Sequence, residues 1–324
     1  MLQIDSLNIR MWSKLGPRGT LGFALLELGK TVSDLVVLTA DLANTSGLDR
    51  YQKTYPDRFF NVGIAEQNLV GIAAGMAKEG KNVFVTSFAT FAAMRSYEQI
   101  RFELGYMGLN VKVVGLASGL AMGMFGASHY AFEDMALMRA VPGLTVISPA
   151  DCVEVVKTIF AMTNFKGPVY IRLTGAINNP IVYKTDYDFK IGKAVTLKSG
   201  YDVTIIATGT MVYESLVAAE ILEAQSISTA VINVHTIKPM DDDTIIKSAT
   251  LSKLIVTVEE HSIIGGLGSA IAECKSRIKI SVPQLMLGLP DKFGKAGEYK
   301  YLLEQYGLTG KQIAANIIAK YSER

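Results

Sequence analysis

The chain has 324 residues, of which 49% are hydrophobic and 19% are charged, and its formal net charge is +2. This length suffices for two domains with a substantial buried core. Because 32 basic residues balance 30 acidic ones without a long basic run, nucleic acid is not expected as a partner. Two cysteines cannot form a disulfide framework, which favours a cytoplasmic location. The longest stretch without Asp, Glu, Lys or Arg, residues 113–132, is glycine-rich, so no membrane span is expected.

The first half of the chain alternates short apolar strands with amphipathic helices. Strands are predicted at residues 35–38, 83–86, 111–114, 144–147 and 169–173. Helices are predicted at residues 20–28, 66–78, 90–103, 134–140 and 152–164. Continuous apolar strands separated by helices are typical of a parallel sheet with both faces covered. Residues 1–177 are therefore predicted to form a doubly wound, mostly parallel α/β domain.

A polar, irregular stretch at residues 178–193 is predicted to be an interdomain linker. Residues 194–324 then predict a second, smaller α/β domain. Its strands are expected at residues 203–207, 229–234, 254–258 and 282–287. Its helices are expected at residues 211–224, 242–248, 267–274, 300–306 and 309–320. Asp151 and Asp241 are predicted to cap two of the helices. The predicted fold class is α/β with two doubly wound domains.

Two features near residues 60–95 are candidates for chemistry. Glu66 follows Gly63-Ile64-Ala65 at a predicted helix start. Such a carboxylate either complements the helix dipole or, in this apolar setting, is a buried acid able to exchange a proton near neutral pH. Phe88, Phe91 and Met94 recur every three residues and share one face. That face is either core or a shelf on which a flat ring stacks.

A third candidate is the glycine-rich loop at residues 123–129, because such loops often let a ligand approach the backbone. His129 at its end is either a structural or a functional histidine. His235 and His261 have no metal-ligand neighbours in sequence and are interpreted as structural or interface residues. Gly265-Gly266-Leu267-Gly268 after a predicted strand either holds an anion or allows tight packing.

Several segments occur in an order that resembles one known family. From about Arg18 to the end, the chain resembles the C-terminal half of transketolase, the pyrimidine-binding and C-terminal domains of a thiamine-diphosphate enzyme. The resemblance rests on residues 38–42, 60–68, 87–91, 126–129, 133–139 and 145–151. It implies a transferase that moves a two-carbon ketol unit from a ketose to an aldehyde.

The resemblance implies roles at a cofactor site. In this family the glutamate of the Gly-Ile-x-Glu-Gln motif hydrogen-bonds the aminopyrimidine of thiamine diphosphate and promotes the tautomer that activates the cofactor. Glu66 would have this catalytic role, and Phe91 would stack on the aminopyrimidine. Met94 stands where transketolases usually have tyrosine. The residues expected to contact the cofactor are Asp41, Ile64, Glu66, Phe88, Phe91 and Met94.

On the substrate side, the resemblance implies that His129 faces substrate hydroxyls and assists proton transfer. The residues expected to bind substrate are Arg18, Thr45, His129 and Arg172, with the two arginines on a phosphate. Ala117 and Phe125 stand where a transketolase has His and Asp. Because a buried unpaired hydroxyl is costly, ordinary pentose phosphates match poorly, and a modified ketose or a less polar acceptor is expected.

The family's motif for diphosphate and Mg²⁺, Gly-Asp-Gly followed later by Asn, belongs to the N-terminal half and is absent from this sequence. The resemblance therefore implies that thiamine diphosphate and Mg²⁺ are held mainly by a separate N-terminal subunit, with the active site between chains. A heterotetramer of two chains of each kind, dimerising through this chain, is expected. Met1 and the intact first helix are expected to mark a natural subunit.

Three alternatives stay open. Residues 63–67 also resemble deoxyxylulose-phosphate synthase, although that enzyme has a Pro-Arg pair where this chain has Leu173-Thr174-Gly175. The beta subunit of a 2-oxoacid dehydrogenase is also a separate chain, but its loop pattern differs. A non-catalytic scaffold or regulator of a transketolase would suit the changed substrate positions, whereas Glu66 and His129 argue against it.

Overall fold

The computed structural model describes residues 3–323, which form two β-sheets covered by helices. The helices are α1 (Ser6–Leu28), α2 (Asp49–Thr54), α3 (Glu66–Lys78), α4 (Tyr97–Gln99), α5 (Asp134–Ala140), α6 (Cys152–Asn164), α7 (Met211–Glu223), α8 (Asp242–Leu251), α9 (Leu267–Arg277), α10 (Tyr299–Gln305) and α11 (Gly310–Ser322). The strands are β1 (Leu35–Thr39), β2 (Phe59–Asn61), β3 (Asn82–Phe88), β4 (Val111–Ser118), β5 (Thr145–Ile147), β6 (Val169–Thr174), β7 (Val195–Lys198), β8 (Val203–Ala207), β9 (Thr229–Asn233), β10 (Thr236–Lys238), β11 (Leu254–Ser262) and β12 (Gln284–Leu289).

The first sheet has seven strands in the order β10-β5-β6-β4-β3-β1-β2, and every pair except β10–β5 is parallel. Strands β1 and β4 are buried along their whole length, because helices cover both faces of the sheet. Helices α1 and α6 pack in one apolar cluster, and α3 and α5 pack in the other. The doubly wound first domain predicted from the sequence is confirmed.

The second sheet has five strands in the order β12-β11-β8-β9-β7, with β7 as an antiparallel edge. Strands β8 and β9 are fully buried. Helices α7 and α11 contribute to one apolar cluster and α8 and α9 to the other, so this sheet is also covered on both faces. The predicted α/β class of the second half is confirmed.

Several features differ from the expectations. Helix α1 begins at Ser6, well before the predicted start at residue 20, and α2, β2 and β7 were not expected. The predicted helix at residues 90–103 consists of two π-helical turns, Phe91–Arg95 and Ile100–Tyr106, on either side of α4. Strand β10, which was not expected, crosses from the second half into the first sheet and pairs with β5. Asp151 caps α6 with its side chain as predicted, whereas Asp241 lies at the N-cap of α8 but its carboxylate accepts no hydrogen bond from the helix backbone. The domain boundaries at residues 177 and 194 stay predictions.

The predicted linker is irregular but firmly attached to the first domain. Both Val182 N and Tyr183 N donate to Asp151 Oδ2 at 2.8 Å, and the Ser13 hydroxyl donates to the carbonyl of Asn179 at 2.6 Å. Among residues 3–323, no helix is long and apolar enough to cross a membrane.

Candidate active site

Glu66 is the first residue of α3 and only 2% exposed. Arg95 Nη1 donates to Glu66 Oε2 at 2.7 Å, and the Ser87 hydroxyl donates to Oε1 at 3.4 Å. Gly63 has a φ of 76°, a backbone conformation that favours glycine, and makes the turn that starts the helix there. This carboxylate therefore lies at a helix N-terminus and is also buried.

Three phenylalanine rings surround His129. Phe88 ends β3, Phe91 starts the first π-helical turn, and Phe125 belongs to the glycine-rich loop. Their ring centroids lie 6.0, 5.4 and 4.9 Å from that of His129. Phe88 and Phe91 are only half-buried, so they are not ordinary core residues. The fold thus joins the aromatic shelf and the loop histidine, which are about 40 residues apart in the sequence, into one site.

Arg95 is a site residue that the sequence reasoning missed. Its guanidinium carbon lies 4.3 Å from the centroid of the Phe91 ring, and the same group pairs with Glu66. A planar group that hydrogen-bonds Glu66 and stacks on Phe91 makes the two contacts that the transketolase resemblance assigns to the aminopyrimidine. These residues therefore fit a flat, hydrogen-bonding ring. The signal available in the sequence was a basic residue four positions after Phe91.

Asp41 and Ile64 lie on two neighbouring turns that Asn61 joins. Asn61 Oδ1 accepts hydrogen bonds from Asp41 N and Gly63 N, both at 3.0 Å, and Asn61 Nδ2 donates to Asp41 Oδ1 at 2.9 Å. Both predicted cofactor residues are exposed, and Ile64 is 77% exposed. Met94 is half-buried, and its sulfur accepts a hydrogen bond from the Thr90 hydroxyl at 3.6 Å.

Arg18 and Thr45 line one cavity of about 150 Å³. The cavity lies between α1, just after a kink at Gly16, and the segment that follows β6. Ala176 and Ile177 line this cavity and also a larger one of about 610 Å³. The structure thus brings two of the predicted substrate residues together.

Arg172 requires a correction. It is 1% exposed and pairs with Asp134, with Arg172 Nε 2.9 Å from Asp134 Oδ2. Its terminal nitrogens donate to Thr174 Oγ1 and to the carbonyls of Ala131 and Glu260. With its donors engaged inside the protein, Arg172 does not offer a contact to a substrate phosphate. The predicted phosphate contact is wrong because Arg172 is neutralised by Asp134. These two residues are 38 positions apart, so the sequence does not show that they pair.

Phe125 separates His129 from the larger cavity, whose wall it forms together with Met124 and Ile177. All three are exposed apolar side chains, and Phe125 is 61% exposed. Ala117, the other changed substrate position, is buried at the end of β4 with a φ of 52°. The surroundings of His129 on this side are thus apolar.

Gly265 and Gly266 precede α9, but the acceptor at this helix N-terminus is a carboxyl group of the same chain. Leu267 N and Gly268 N donate to the carboxylate of Glu259 at 2.6 and 2.7 Å. Within residues 3–323, no three His, Cys, Asp or Glu side chains are grouped as ligands for a metal ion.

Comparisons with known proteins agree over most of the chain. A family model described as transketolase, pyrimidine binding domain, matches residues 14–177, and one described as transketolase, C-terminal domain, matches residues 192–313. A putative transketolase C-terminal section of Methanocaldococcus jannaschii is 44% identical over 305 residues, which cover 94% of this chain and 95% of that protein.

Two further relatives also match most of this chain over most of their own length. The 6-deoxy-6-sulfo-D-fructose transketolase subunit SqwH of a Clostridium species is 43% identical, with 89% of each chain covered. A solved structure described as a split gene transketolase, inactive beta4 tetramer, is 41% identical with a TM-score of 0.85 and covers 94% of this chain and 98% of that one. The chain therefore belongs to the transketolase family and corresponds to the C-terminal section of its split members.

Proposed function

We propose that this chain is the C-terminal subunit of a cytoplasmic split transketolase, which transfers a two-carbon ketol unit from a ketose to an aldehyde with thiamine diphosphate and Mg²⁺. The observation that carries the proposal is the buried carboxylate of Glu66 beside the Phe91 ring, in the same site as His129. When bound, the cofactor supplies the electron sink for breaking and forming the carbon–carbon bond.

The residues of this chain have distinct tasks in that proposal. Glu66 hydrogen-bonds a ring nitrogen of the aminopyrimidine, and the face of Phe91 supports the ring after Arg95 has moved aside. Phe88 and Met94 extend the apolar wall, while Asp41 and Ile64 lie at the exposed edge. His129 holds a substrate hydroxyl and moves a proton at that oxygen, because its imidazole lies beside both phenylalanines of the shelf.

A second polypeptide is proposed to hold the diphosphate and Mg²⁺. The Gly-Asp-Gly motif is absent from the sequence. The relatives named as a section, a subunit and a split-gene product support a separate N-terminal partner. The description of one solved relative as an inactive tetramer of beta chains is consistent with a need for that partner. We therefore propose a heterotetramer with two copies of each chain.

We propose that the donor is a modified ketose or that the acceptor aldehyde is less polar than a sugar phosphate. Ala117 and Phe125 leave no polar side chain at two positions where the family resemblance expects His and Asp. Arg18 remains as a cation for an anionic end of the substrate. The name of the Clostridium relative, which specifies a sulfonated deoxyketose, supports a non-standard sugar of this kind.

Calorimetric titration of thiamine diphosphate with Mg²⁺ tests the proposal. The chain alone, the candidate N-terminal subunit alone and their mixture are compared, followed by the mixture with Glu66→Gln. Binding only in the mixture, together with ketol transfer that Glu66→Gln lowers by about 100-fold or more, is expected. The exposed neighbour Gln67→Ala is the matched control.

Other outcomes separate the alternatives. A scaffold or regulator predicts that Glu66→Gln leaves activity of the complex unchanged. Pyruvate as the preferred donor, in place of a ketose, would favour the deoxyxylulose-phosphate synthase or 2-oxoacid dehydrogenase alternatives. Tight cofactor binding by this chain alone would contradict the two-chain site.

A further inference from the structure

The loop that contains His129 is closed at its base by two backbone hydrogen bonds. Gly119 N donates to the carbonyl of Ala131 at 3.1 Å, and Ala131 N donates to the carbonyl of Gly119 at 3.4 Å. Residues 119–131 are called the His129 loop below. His129 Nδ1 lies 3.0 Å from the hydroxyl of Ser128, which belongs to the same loop. The His129 ring also packs against three phenylalanine rings, those of Phe88, Phe91 and Phe125. The position of His129 therefore depends on how the base of its loop is fixed.

Glu260 fixes one side of this base from the second half of the chain. It lies on β11 and is fully buried, with 1% exposure. Its Oε1 accepts a hydrogen bond from Leu120 N at 2.7 Å, and its Oε2 accepts from the hydroxyls of Tyr299 at 2.6 Å and Thr210 at 2.8 Å. These three hydrogen bonds lie in the core, so removing the carboxyl group of Glu260 leaves their donors unpaired.

The packing between Glu260 and the loop leaves no space for a side chain at position 119. A Cβ at Gly119 would overlap Glu260 Oε1 and would lie 2.9 Å from the carbonyl oxygen of Glu260. Gly119 also has a φ of 63°, which favours glycine. The backbone of the loop thus rests directly on Glu260.

Arg172 holds the Ala131 side of the loop base and also hydrogen-bonds the backbone of Glu260. Arg172 Nη2 donates to the carbonyl of Ala131 at 3.1 Å and to the carbonyl of Glu260 at 2.7 Å. The middle of the loop also contacts the segment before α10, since Gly297 N donates to the carbonyl of Gly123 at 3.0 Å. Both ends and the middle of the His129 loop are therefore held by residues of the second half or by Arg172, which bonds to that half.

We propose that Glu260 is a positioning residue, through which the C-terminal domain holds the His129 loop so that His129 faces the shelf formed by Phe88 and Phe91. The catalytic part of this inference rests on the proposed function, whereas the attachment of the loop does not. Among residues 3–323, the carboxyl group of Glu260 hydrogen-bonds Leu120, Thr210 and Tyr299 but not His129, so it acts through Leu120 and the base of the loop.

Glu259 provides a matched control. It precedes Glu260 on the same strand and is equally buried. Its carboxylate accepts from Leu267 N and Gly268 N at the start of α9 and makes no hydrogen bond to the His129 loop within the described part of the chain. Glu259→Ala removes the same chemical group from the same strand without releasing the loop.

The test is hydrogen exchange of residues 119–131 in the full chain, measured by mass spectrometry for Glu260→Ala, Glu260→Gln and Glu259→Ala. Glu260→Ala is expected to speed exchange of the loop amides by about tenfold, because the buried hydrogen bond of Leu120 N is lost. Glu260→Gln is expected to recover most of the protection, since its amide oxygen can still accept from Leu120 N. If Glu260→Ala does not fold, Tyr299→Phe removes one bond to the carboxylate, and a smaller increase confined to the loop is expected.

Kinetics of the complex with the N-terminal subunit complete the test. Glu260→Ala is expected to lower kcat by about tenfold or more while the Kd of thiamine diphosphate changes by less than about threefold, as for misplacement of a catalytic group. Glu259→Ala is expected to leave loop exchange and kcat near the wild-type values. Unchanged loop exchange in Glu260→Ala, or the same exchange and kcat in both alanine variants, would overturn the inference. A complex without transketolase activity would contradict the proposed function, and the exchange data would still decide whether Glu260 holds the loop.

Discussion

Arg95 occupies the space between Glu66 and the Phe91 ring that the proposed function gives to the aminopyrimidine. Its guanidinium therefore has to leave both contacts before the ring can bind. A binding-competent state that is only partly populated weakens the apparent affinity by that fraction. Arg95 and the cofactor are thus expected to compete for one place.

Replacement of this residue by methionine, Arg95→Met, is expected to tighten thiamine diphosphate binding by the complex about three- to tenfold, since no guanidinium has to be displaced. Calorimetric titration with Mg²⁺ measures the change. Arg101→Met, at an exposed position in the same segment, is the control. Weaker binding by Arg95→Met would mean that Arg95 contacts the bound cofactor and does not compete with it.

His261 predicts a pH dependence of stability. Ala136 N donates to His261 Nε2 at 3.3 Å, and Nδ1 lies 2.7 Å from the carbonyl of Ser262, an arrangement that suits the neutral ring. Burial lowers the pKa of His261 to about 4. Between that pKa and the unfolded value near 6.5, the unfolded chain binds a proton that the folded chain does not. Stability from His261 is therefore present above pH 6.5 and is lost as the pH falls toward 4.

The difference in free energy of unfolding between the wild type and His261→Gln is expected to shrink by about 2 kcal/mol from pH 6.5 to pH 5. Urea unfolding at several pH values measures it. Burial raises the pKa of Glu259 to about 7, so Glu259 contributes a dependence of opposite sign. Because Glu259 Oε2 lies only 3.6 Å from His261 Nδ1, the two groups titrate together. The comparison is therefore repeated in the Glu259→Gln background, where the remaining difference reports His261. Parallel stability curves would contradict the assignment of a buried neutral ring.

Single functional residues could be predicted where they belong to a recognisable sequence motif. Glu66, Phe91 and His129 could be selected from motifs, although their common site depends on the fold. Arg95 and Glu260 could not be selected this way, because their partners lie 29 and 140 positions away. Three consecutive polar residues, Glu259 to His261, at the end of an otherwise apolar strand were the available sign of a buried polar network.

At the scale of elements, most predicted strands and helices were found with small changes at their ends, because continuous apolar strands and amphipathic helices leave clear patterns. Helix α1 is an exception, since it begins at Ser6 and not at the predicted residue 20. The segment at residues 90–106 was harder, since a π-helical turn keeps a helical composition and changes only the hydrogen bonds. The short edge strands β2, β7 and β10 were missed. An edge strand of three or four residues carries too little apolar alternation to be recognised.

The linker gives a prediction at this scale. Asp151 both caps α6, through Glu154 N, and binds the linker through Val182 N and Tyr183 N. Asp151→Ala is expected to accelerate trypsin cleavage after Lys184 by about tenfold or more, because the linker loses two hydrogen bonds to a charged group. Mass spectrometry of the fragments measures the rate. Asp188→Ala, at an exposed linker position, is the control, and equal cleavage of both variants would contradict the proposed attachment.

At the scale of the whole molecule, the two halves of the chain share structure that the domain pattern of the sequence does not reveal. Strand β10 of the second half completes the first sheet. Each of the two apolar clusters contains residues from both halves. The pair between Asp134 and Arg172 bonds to β11 through the carbonyl of Glu260. The two halves, which a polar linker separates in the sequence, are thus joined in the fold by buried contacts that include an ion pair.

One cooperative unfolding transition is therefore expected for the whole chain. Trp12 is the one tryptophan of the sequence and is fully buried in α1, so its fluorescence reports the first half. Far-UV circular dichroism reports both halves. The two signals are expected to change together in a urea titration, because unfolding of either half would expose the shared polar network.

The Arg172→Met substitution tests which connection makes the halves cooperative. It leaves Asp134 buried without its cation, and loss of one partner from a buried pair costs about 3–5 kcal/mol. Both signals are expected to shift to lower urea by the same amount, since the pair belongs to both halves. Arg277→Met breaks an exposed pair with Asp242 and is expected to cost less than about 1 kcal/mol. If the circular dichroism of Arg172→Met separated into two transitions while Trp12 followed only one, the Asp134–Arg172 pair would be the main connection, and the shared sheet and apolar clusters would be insufficient without it.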